Sequence, residues 1–186
     1  VNRPSTAEEV LALYEQRGHR YYGEAVTQVD HALQCAALAR RDGARDELIV
    51  AALLHDVGHL VVDVQSDRYD ELSEIDDEHE ALGARILAPI FGPGVAQPVA
   101  LHVTAKRWRC AREPEYYDRL SSASQATLRA QGGILNEAEC ERFEEHPGFR
   151  EALWLRAWDD TGKIAGLETG TIADWVDLVR SVAAAR

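Results

Sequence analysis

Residues 48–59 read Leu48-Ile49-Val50-Ala51-Ala52-Leu53-Leu54-His55-Asp56-Val57-Gly58-His59, a stretch apolar on every side that ends in a histidine and an aspartate. A seven-residue run without a polar face fits a central helix buried all round, and Asp46 and Glu47 in its first turn suit the positive end of the helix dipole. Its last turn enters His55-Asp56. An Asp beside a His at the end of so apolar a helix is costly to bury unless something compensates its charge, and a divalent metal would do so. In the plainer alternative, His55 caps one helix end and Asp56 the next turn, each with an ordinary hydrogen bond.

Outward from this stretch the chain reads as helices. Ser5 and Thr6, followed three residues later by Glu8 and Glu9, form two overlapping capping boxes and open a helix that Gly18 closes. From Ala25 to Ala39 the apolar positions Val26, Val29, Leu33, Ala36 and Ala37 recur at helical spacing, and Asp42-Gly43 ends the run. Further helices are expected over Glu78–Leu87, stopped by Pro89 and Gly92-Pro93-Gly94, and over Val95–Val103, where Pro98 is tolerable only in the first turn. Ser122 with Gln125 marks another, closed by Gly132-Gly133, and Asn136 with Glu139 one more, ended before Pro147. Phe149–Trp158 and Thr171–Ala185 complete the set. Residues 61–77 mix acids, Ser and Tyr without a period and read as a loop long enough to suggest a function. Without sustained strand alternation or an internal repeat, the fold class is all-α.

The 186 residues fit one domain spanning 1–186, and 46% hydrophobic with 28% charged residues is ordinary globular composition. A net charge of −12 repels phosphate polymers and anionic lipid, so neither nucleic acid nor membrane is an expected partner. An anionic small substrate remains possible where a few basic residues converge. The longest apolar stretch, Leu48–Leu54, is far short of the roughly 20 residues of a membrane helix, and the chain reads as soluble and cytoplasmic. Cys35, Cys110 and Cys140 are odd in number and outside any C-x-x-C spacing, which argues against a disulfide framework or a thiolate zinc site.

Histidines occur at 19, 31, 55, 59, 79, 102 and 146. His31, then His55-Asp56, then Asp159 after Trp158, spread over separate helices, is the H…HD…D arrangement, and the chain resembles the HD-domain superfamily, helical bundles built around a metal site. Ala51-Ala52-Leu53-Leu54-His55-Asp56-Val57-Gly58-His59 is similar to its central signature. His79 and His102 fall between the dyad and the last Asp and bear on whether one ion or two are held; either alone could be an ordinary imidazole. All six candidate ligands offer nitrogen or oxygen, which suits Fe, Mn, Zn or Ni without choosing among them.

Further strings resemble one branch of that superfamily, the mixed-valent di-iron oxygenases that cleave carbon–phosphorus bonds. Tyr21-Tyr22-Gly23-Glu24-Ala25 with Gln28 precedes His31, and His102-Val103-Thr104-Ala105-Lys106-Arg107 follows. Leu120-Ser121 with Ala123-Ser124, Gln131-Gly132-Gly133 and Arg156-Ala157-Trp158-Asp159 come next, in order, from about residue 10 to residue 165. The resemblance implies a single HD domain with two mixed-valent Fe(II)/Fe(III) ions. One would be held by His31, His55, Asp56 and Asp159, the other by bridging Asp56 with His79 and His102. It implies O₂ as co-substrate and a small organophosphonate as substrate, such as 2-amino-1-hydroxyethylphosphonate going to glycine and phosphate, or its trimethylammonium analogue going to glycine betaine. His59, Lys106, Ser124 and Arg156 match the phosphonate grip. Tyr21 and Glu24 match a pair that gates the iron, Tyr21 covering it at rest and Glu24 meeting the substrate's cationic nitrogen. Tyr22, Tyr69, Trp108 and Tyr116/Tyr117 could box a quaternary nitrogen, but aromatics more often serve the core, so the reading leans to a primary amine. A homodimer is a base-rate expectation. The rivals are an HD-type metal-dependent phosphohydrolase and a ligand-sensing HD module, and the full set of six ligands counts against the second.

Overall fold

A computed structural model describes residues 3–21, 25–61 and 78–185 of the chain. Thr6 caps Ala7–Arg17 (α1) by accepting from the Glu9 amide, while the Ser5 amide and hydroxyl both donate to the Glu9 carboxylate, so the two expected boxes merge into one. Thr27 likewise caps Gln28–Arg41 (α2) through the Asp30 amide, and Gly43, at φ +73°, turns the chain out of it. Asp46–Leu54 (α3) is followed through His55 and Asp56 by the short Val57–Val61 (α4). Then come His79–Phe91 (α5), Pro93–Arg112 (α6), Tyr116–Arg119 (α7), Ser122–Ala130 (α8), Glu137–Glu144 (α9), Phe149–Thr161 (α10), a 3-10 turn over Ile172–Trp175 and Val176–Ala184 (α11). Among the described residues no strand forms; a single β-bridge pairs Tyr21 with Thr27.

Every residue from Leu48 to Leu54 is buried, as the all-apolar run requires. Helices α2, α6, α10 and α11 surround α3, and α5 packs along α6. A second, smaller core of Ala105, Leu135, Cys140, Phe143 and Ala152 lies under α6, α9 and α10. No described helix is long and apolar enough to cross a membrane.

The helix ends depart from expectation where packing outweighs local signals. Pro89 does not stop α5, which continues to Phe91. A helix-interior proline costs about 3 kcal/mol, whereas burying Ile90 and Phe91 beyond it returns about 1.5–3 kcal/mol each. Helix α6 starts at Pro93, which puts Pro98 in the second turn. The carbonyl that loses its donor there is that of Gly94, and Arg45 Nη2 reaches it at 3.4 Å. Ser121 rather than Ser122 caps α8, accepting from the Ser124 amide at 3.1 Å. Helix α10 runs past Trp158 and carries Asp159 within it. The C-terminal segment is a capped 3-10 turn and a helix, not one helix.

Candidate metal centre

Histidines from α2, the end of α3, α5 and α6 converge on the carboxylate of Asp56. Its Oδ1 lies 3.5 Å from His55 Nε2, 3.7 Å from His79 Nε2 and 3.8 Å from His102 Nε2, and its Oδ2 lies 3.7 Å from His31 Nε2. Asp159 Oδ1, from α10, is 3.3 Å from His31 Nε2 and 4.0 Å from His55 Nε2. The Nε2 atoms of His79 and His102 face each other at 3.2 Å. Ligands bonded at about 2.1 Å to a shared ion stand roughly 3–3.5 Å apart. All six residues singled out as ligands are therefore gathered within a small contraction of that spacing.

The backbone sets which nitrogen each ring presents. His31 Nδ1 pairs with the Gly162 carbonyl at 2.8 Å, His55 Nδ1 with that of Ala52 at 3.0 Å, and His102 Nδ1 with that of Val99 at 2.7 Å. With Nδ1 held by a carbonyl, each ring presents Nε2 toward Asp56, the orientation that metal-binding histidines take from such supports. Although burial opposes its charge, Cys35 and Asp159 hold His31 well above its ordinary pKa, so a metal there would displace a proton. His55 Nε2 is buried with no hydrogen-bond partner, an orphan that a cation would satisfy. Burial holds His55 below its ordinary pKa and His102 well below it, so both are neutral donors. Burial works against the charge of Asp56, yet His55, His59, His79 and His31 hold its carboxyl far below the usual range. Gly58 is required by this packing: a Cβ there would run into the backbone of His79, so α4 and the start of α5 meet only across a glycine.

Beside this cluster is a cationic end. Arg156, buried on α10, donates from Nη1 to Asp159 Oδ2 at 2.6 Å, from Nε to the Tyr116 hydroxyl at 3.0 Å and from Nη2 to Asp160. Lys106, only 3% exposed on α6, donates to Thr127 Oγ1 at 3.0 Å. Lys163 Nζ lies 3.3 Å from Ser124 Oγ and 3.5 Å from Asp159 Oδ1. Burial, and then the Arg156 guanidinium, pull the Lys106 ammonium down to about 7. The carboxyl of Asp159, though burial opposes its charge, is held well below its ordinary range by Arg156 and Lys163. Asp159 thus meets Arg156 through Oδ2, and through Oδ1 it faces both the histidines and Lys163.

Of the other residues singled out, His59 stacks on His79 with ring centroids 3.9 Å apart, and Ser124 is buried on α8. Tyr21 is 65% exposed, so this structure does not bring it over the cluster. Glu24, Tyr22, Tyr69 and residues 62–77 lie outside the described residues, and Val61, read from sequence as the start of a loop, ends α4 instead. Trp108 packs edge-on to Phe149 and donates to Glu144, and the Tyr116 ring already carries the Arg109 guanidinium 4.3 Å from its centroid. Sequence reasoning missed Lys163, Thr127, Asp160 and Cys35. The Cys35 thiol lies 3.7 Å from His31 Nδ1, donates to the Trp158 carbonyl and has its pKa raised by burial, which makes it a neutral neighbour of His31. For Lys163 the available signal was only its place four residues after Asp159, just past the end of α10.

The HD domain family model matches residues 29–132, which include every candidate ligand except Asp159. The hydroxymethylphosphonate dioxygenase of Gimesia maris is 42% identical over 177 residues, covering 94% of this chain and 88% of its own length. The glycine-betaine-forming [1-hydroxy-2-(trimethylamino)ethyl]phosphonate dioxygenase of Leisingera caerulea is 38% identical over 170 residues, covering 91% and 86%. An uncharacterized protein of Acanthamoeba polyphaga mimivirus is 36% identical over 157 residues, covering 83% and 71%. With the matched HD model and this nearly full-length likeness, the chain belongs to the HD-domain family of phosphonate dioxygenases.

Proposed function

We propose that the protein is a di-iron oxygenase that cleaves the carbon–phosphorus bond of a small 1-hydroxyphosphonate with O₂, releasing inorganic phosphate and a carboxylic acid. The observation that carries this reading is the position of Asp159, shared between the histidine cluster and the cations of Arg156 and Lys163. A substrate whose dianion sits on Arg156 and Lys106 has its neighbouring carbon and hydroxyl directed at the histidine side. His31, His55, Asp56 and Asp159 would hold one iron, and Asp56, His79 and His102 the other, as a mixed-valent Fe(II)/Fe(III) pair. When bound, the pair supplies the one-electron chemistry that lets O₂ oxidise the carbon bearing phosphorus.

The chain's own residues do the rest. Lys106, Arg156, Ser124 and His59 grip the phosphonate, two of them as cations making charge-assisted bonds. The basic end offsets an overall charge of −12 locally, which is how so acidic a protein attracts a dianion. Glu24 meets a cationic nitrogen where the substrate has one, and Tyr21 moves over the site when it is empty. For hydroxymethylphosphonate the balance closes with one O₂, giving formate and phosphate without an added reductant.

The test is anaerobic loading with iron, followed by parallel measurement of phosphate release and O₂ uptake. The substrates are hydroxymethylphosphonate, 2-amino-1-hydroxyethylphosphonate, its trimethylammonium analogue and p-nitrophenyl phosphate. Equal amounts of phosphate and O₂ from a phosphonate are expected, with the amine-free and primary-amine substrates ahead of the trimethylammonium one. Phosphate from the ester alone, without O₂, would mean a phosphohydrolase.

A further inference from the structure

The chain contains only two lysines, Lys106 and Lys163, against eighteen arginines. Arginine therefore serves the surface ion pairs, such as Arg112 with Glu137 and Glu144, or Arg45 with Glu151. Both lysines stand at the cationic end of the metal centre, each against a hydroxyl of the same helix: Lys106 on Thr127 at 3.0 Å and Lys163 on Ser124 at 3.3 Å. Ser124 and Thr127 are three residues apart on α8 and share a face. Lys163 follows Gly162, the residue that ends α10, so its ammonium also lies by the negative end of that helix dipole.

Charge accounting points the same way. Lys106, Lys163 and Arg156 share this region with two carboxylates, Asp159 and Asp160; Asp159 is also turned to the histidines, and Asp160 also takes Arg109 Nη1 at 3.0 Å. The positive charge of Lys163 is felt at Lys106, whose own ammonium is depressed first by burial, then by Arg156, and further by Lys163. Cations crowded at mutual cost are what a dianion relieves. A lysine ammonium is a compact point charge suited to a phosphoryl oxygen, where arginine would demand a planar, bidentate partner.

We propose that Lys163 is a third cationic ligand of the substrate's phosphonate group, binding it jointly with Ser124 while it steadies Asp159. This rests on the oxygenase reading of the same site. The experiment is anaerobic calorimetric titration of the iron-loaded protein with hydroxymethylphosphonate and with inorganic phosphate, for wild type, Lys163→Met and Lys163→Arg. The expected result is affinity for both anions about tenfold or more weaker in Lys163→Met, the loss of one charge-assisted bond, with iron content unchanged and much of the affinity regained in Lys163→Arg. A second measurement needs no loss of the side chain. Selective ¹³C-lysine labelling of the diamagnetic zinc-loaded protein gives two side-chain signals, assigned with Lys163→Arg, and both should shift on addition of phosphate. Wild-type affinity in Lys163→Met, or a shift of the Lys106 signal alone, overturns this inference and leaves the oxygenase reading standing. A wild type that binds neither anion overturns both.

Discussion

His55 shows how one side chain is committed before any ion arrives. Its Nδ1 is occupied by the Ala52 carbonyl and its Nε2 is sealed from solvent, 3.5 Å from Asp56 and without a hydrogen-bond partner, the state a candidate ligand of a cation would have. His55→Ala is expected to lose iron, read by elemental analysis, and to lose turnover with it; full iron content in the variant would remove His55 from the ligand set. In the proposed phosphonate grip, Lys106 would carry the pH dependence of anion binding. Burial and Arg156 lower it from 10.5 to about 7, so in the folded, empty protein it is charged below pH 7 and increasingly neutral above. An arriving dianion favours the charged form, and binding above pH 7 must therefore take up a proton. Apparent KM for a phosphonate is expected to rise about tenfold per pH unit well above 7, and this alkaline rise should be absent in Lys106→Arg, which stays charged. A flat wild-type profile from pH 7 to 9 would contradict the assignment.

At the scale of elements, the site depends on how closely α4 and α5 approach. Gly58 lies against the backbone of His79, and the His59 ring stacks on the His79 ring beside it. Gly58→Ala adds no charge and favours helix locally, yet it must push the start of α5 away from Asp56. The expected cost is about 2–3 kcal/mol of stability, in the range of overpacked interiors, read by denaturant unfolding, together with weakened iron retention. Stability equal to wild type would mean that the two segments part without cost. Helix α10 has a comparable role on the other side, since its extra turn beyond Trp158 places Asp159 in the helix, one turn from Arg156. The two prolines that do not end their helices, Pro89 and Pro98, mark where burial or a borrowed donor outweighs a local stop signal.

At the scale of the whole molecule, the candidate ligands come from α2, the α3–α4 junction, α5, α6 and α10. A bound metal ties together segments more than a hundred residues apart in sequence and stabilises the folded state by mass action, about 2.7 kcal/mol at a hundredfold excess over Kd. For a protein of this size that is roughly 5–10 °C in Tm. Removing metal with a chelator should lower Tm by that amount and restoring iron should recover it; an unchanged Tm would show that the bundle closes without help from the centre. How much of this was legible in the sequence follows from the range of each interaction. The apolar run from Leu48 to Leu54, the Thr6 and Asn136 caps and the glycines at 43, 132 and 133 act within a few residues, so sequence alone determined the all-α class and the central buried helix, while the six candidate histidine and aspartate ligands came from the resemblance of the H…HD…D pattern to the HD superfamily. The ring nitrogen that each histidine presents, the sharing of Asp159 between two clusters and the approach of Lys163 to Ser124 depend on carbonyls and side chains from distant helices. Hydrophobic packing brings these groups together without any local pattern to announce it, and for that reason only the tertiary structure decided them.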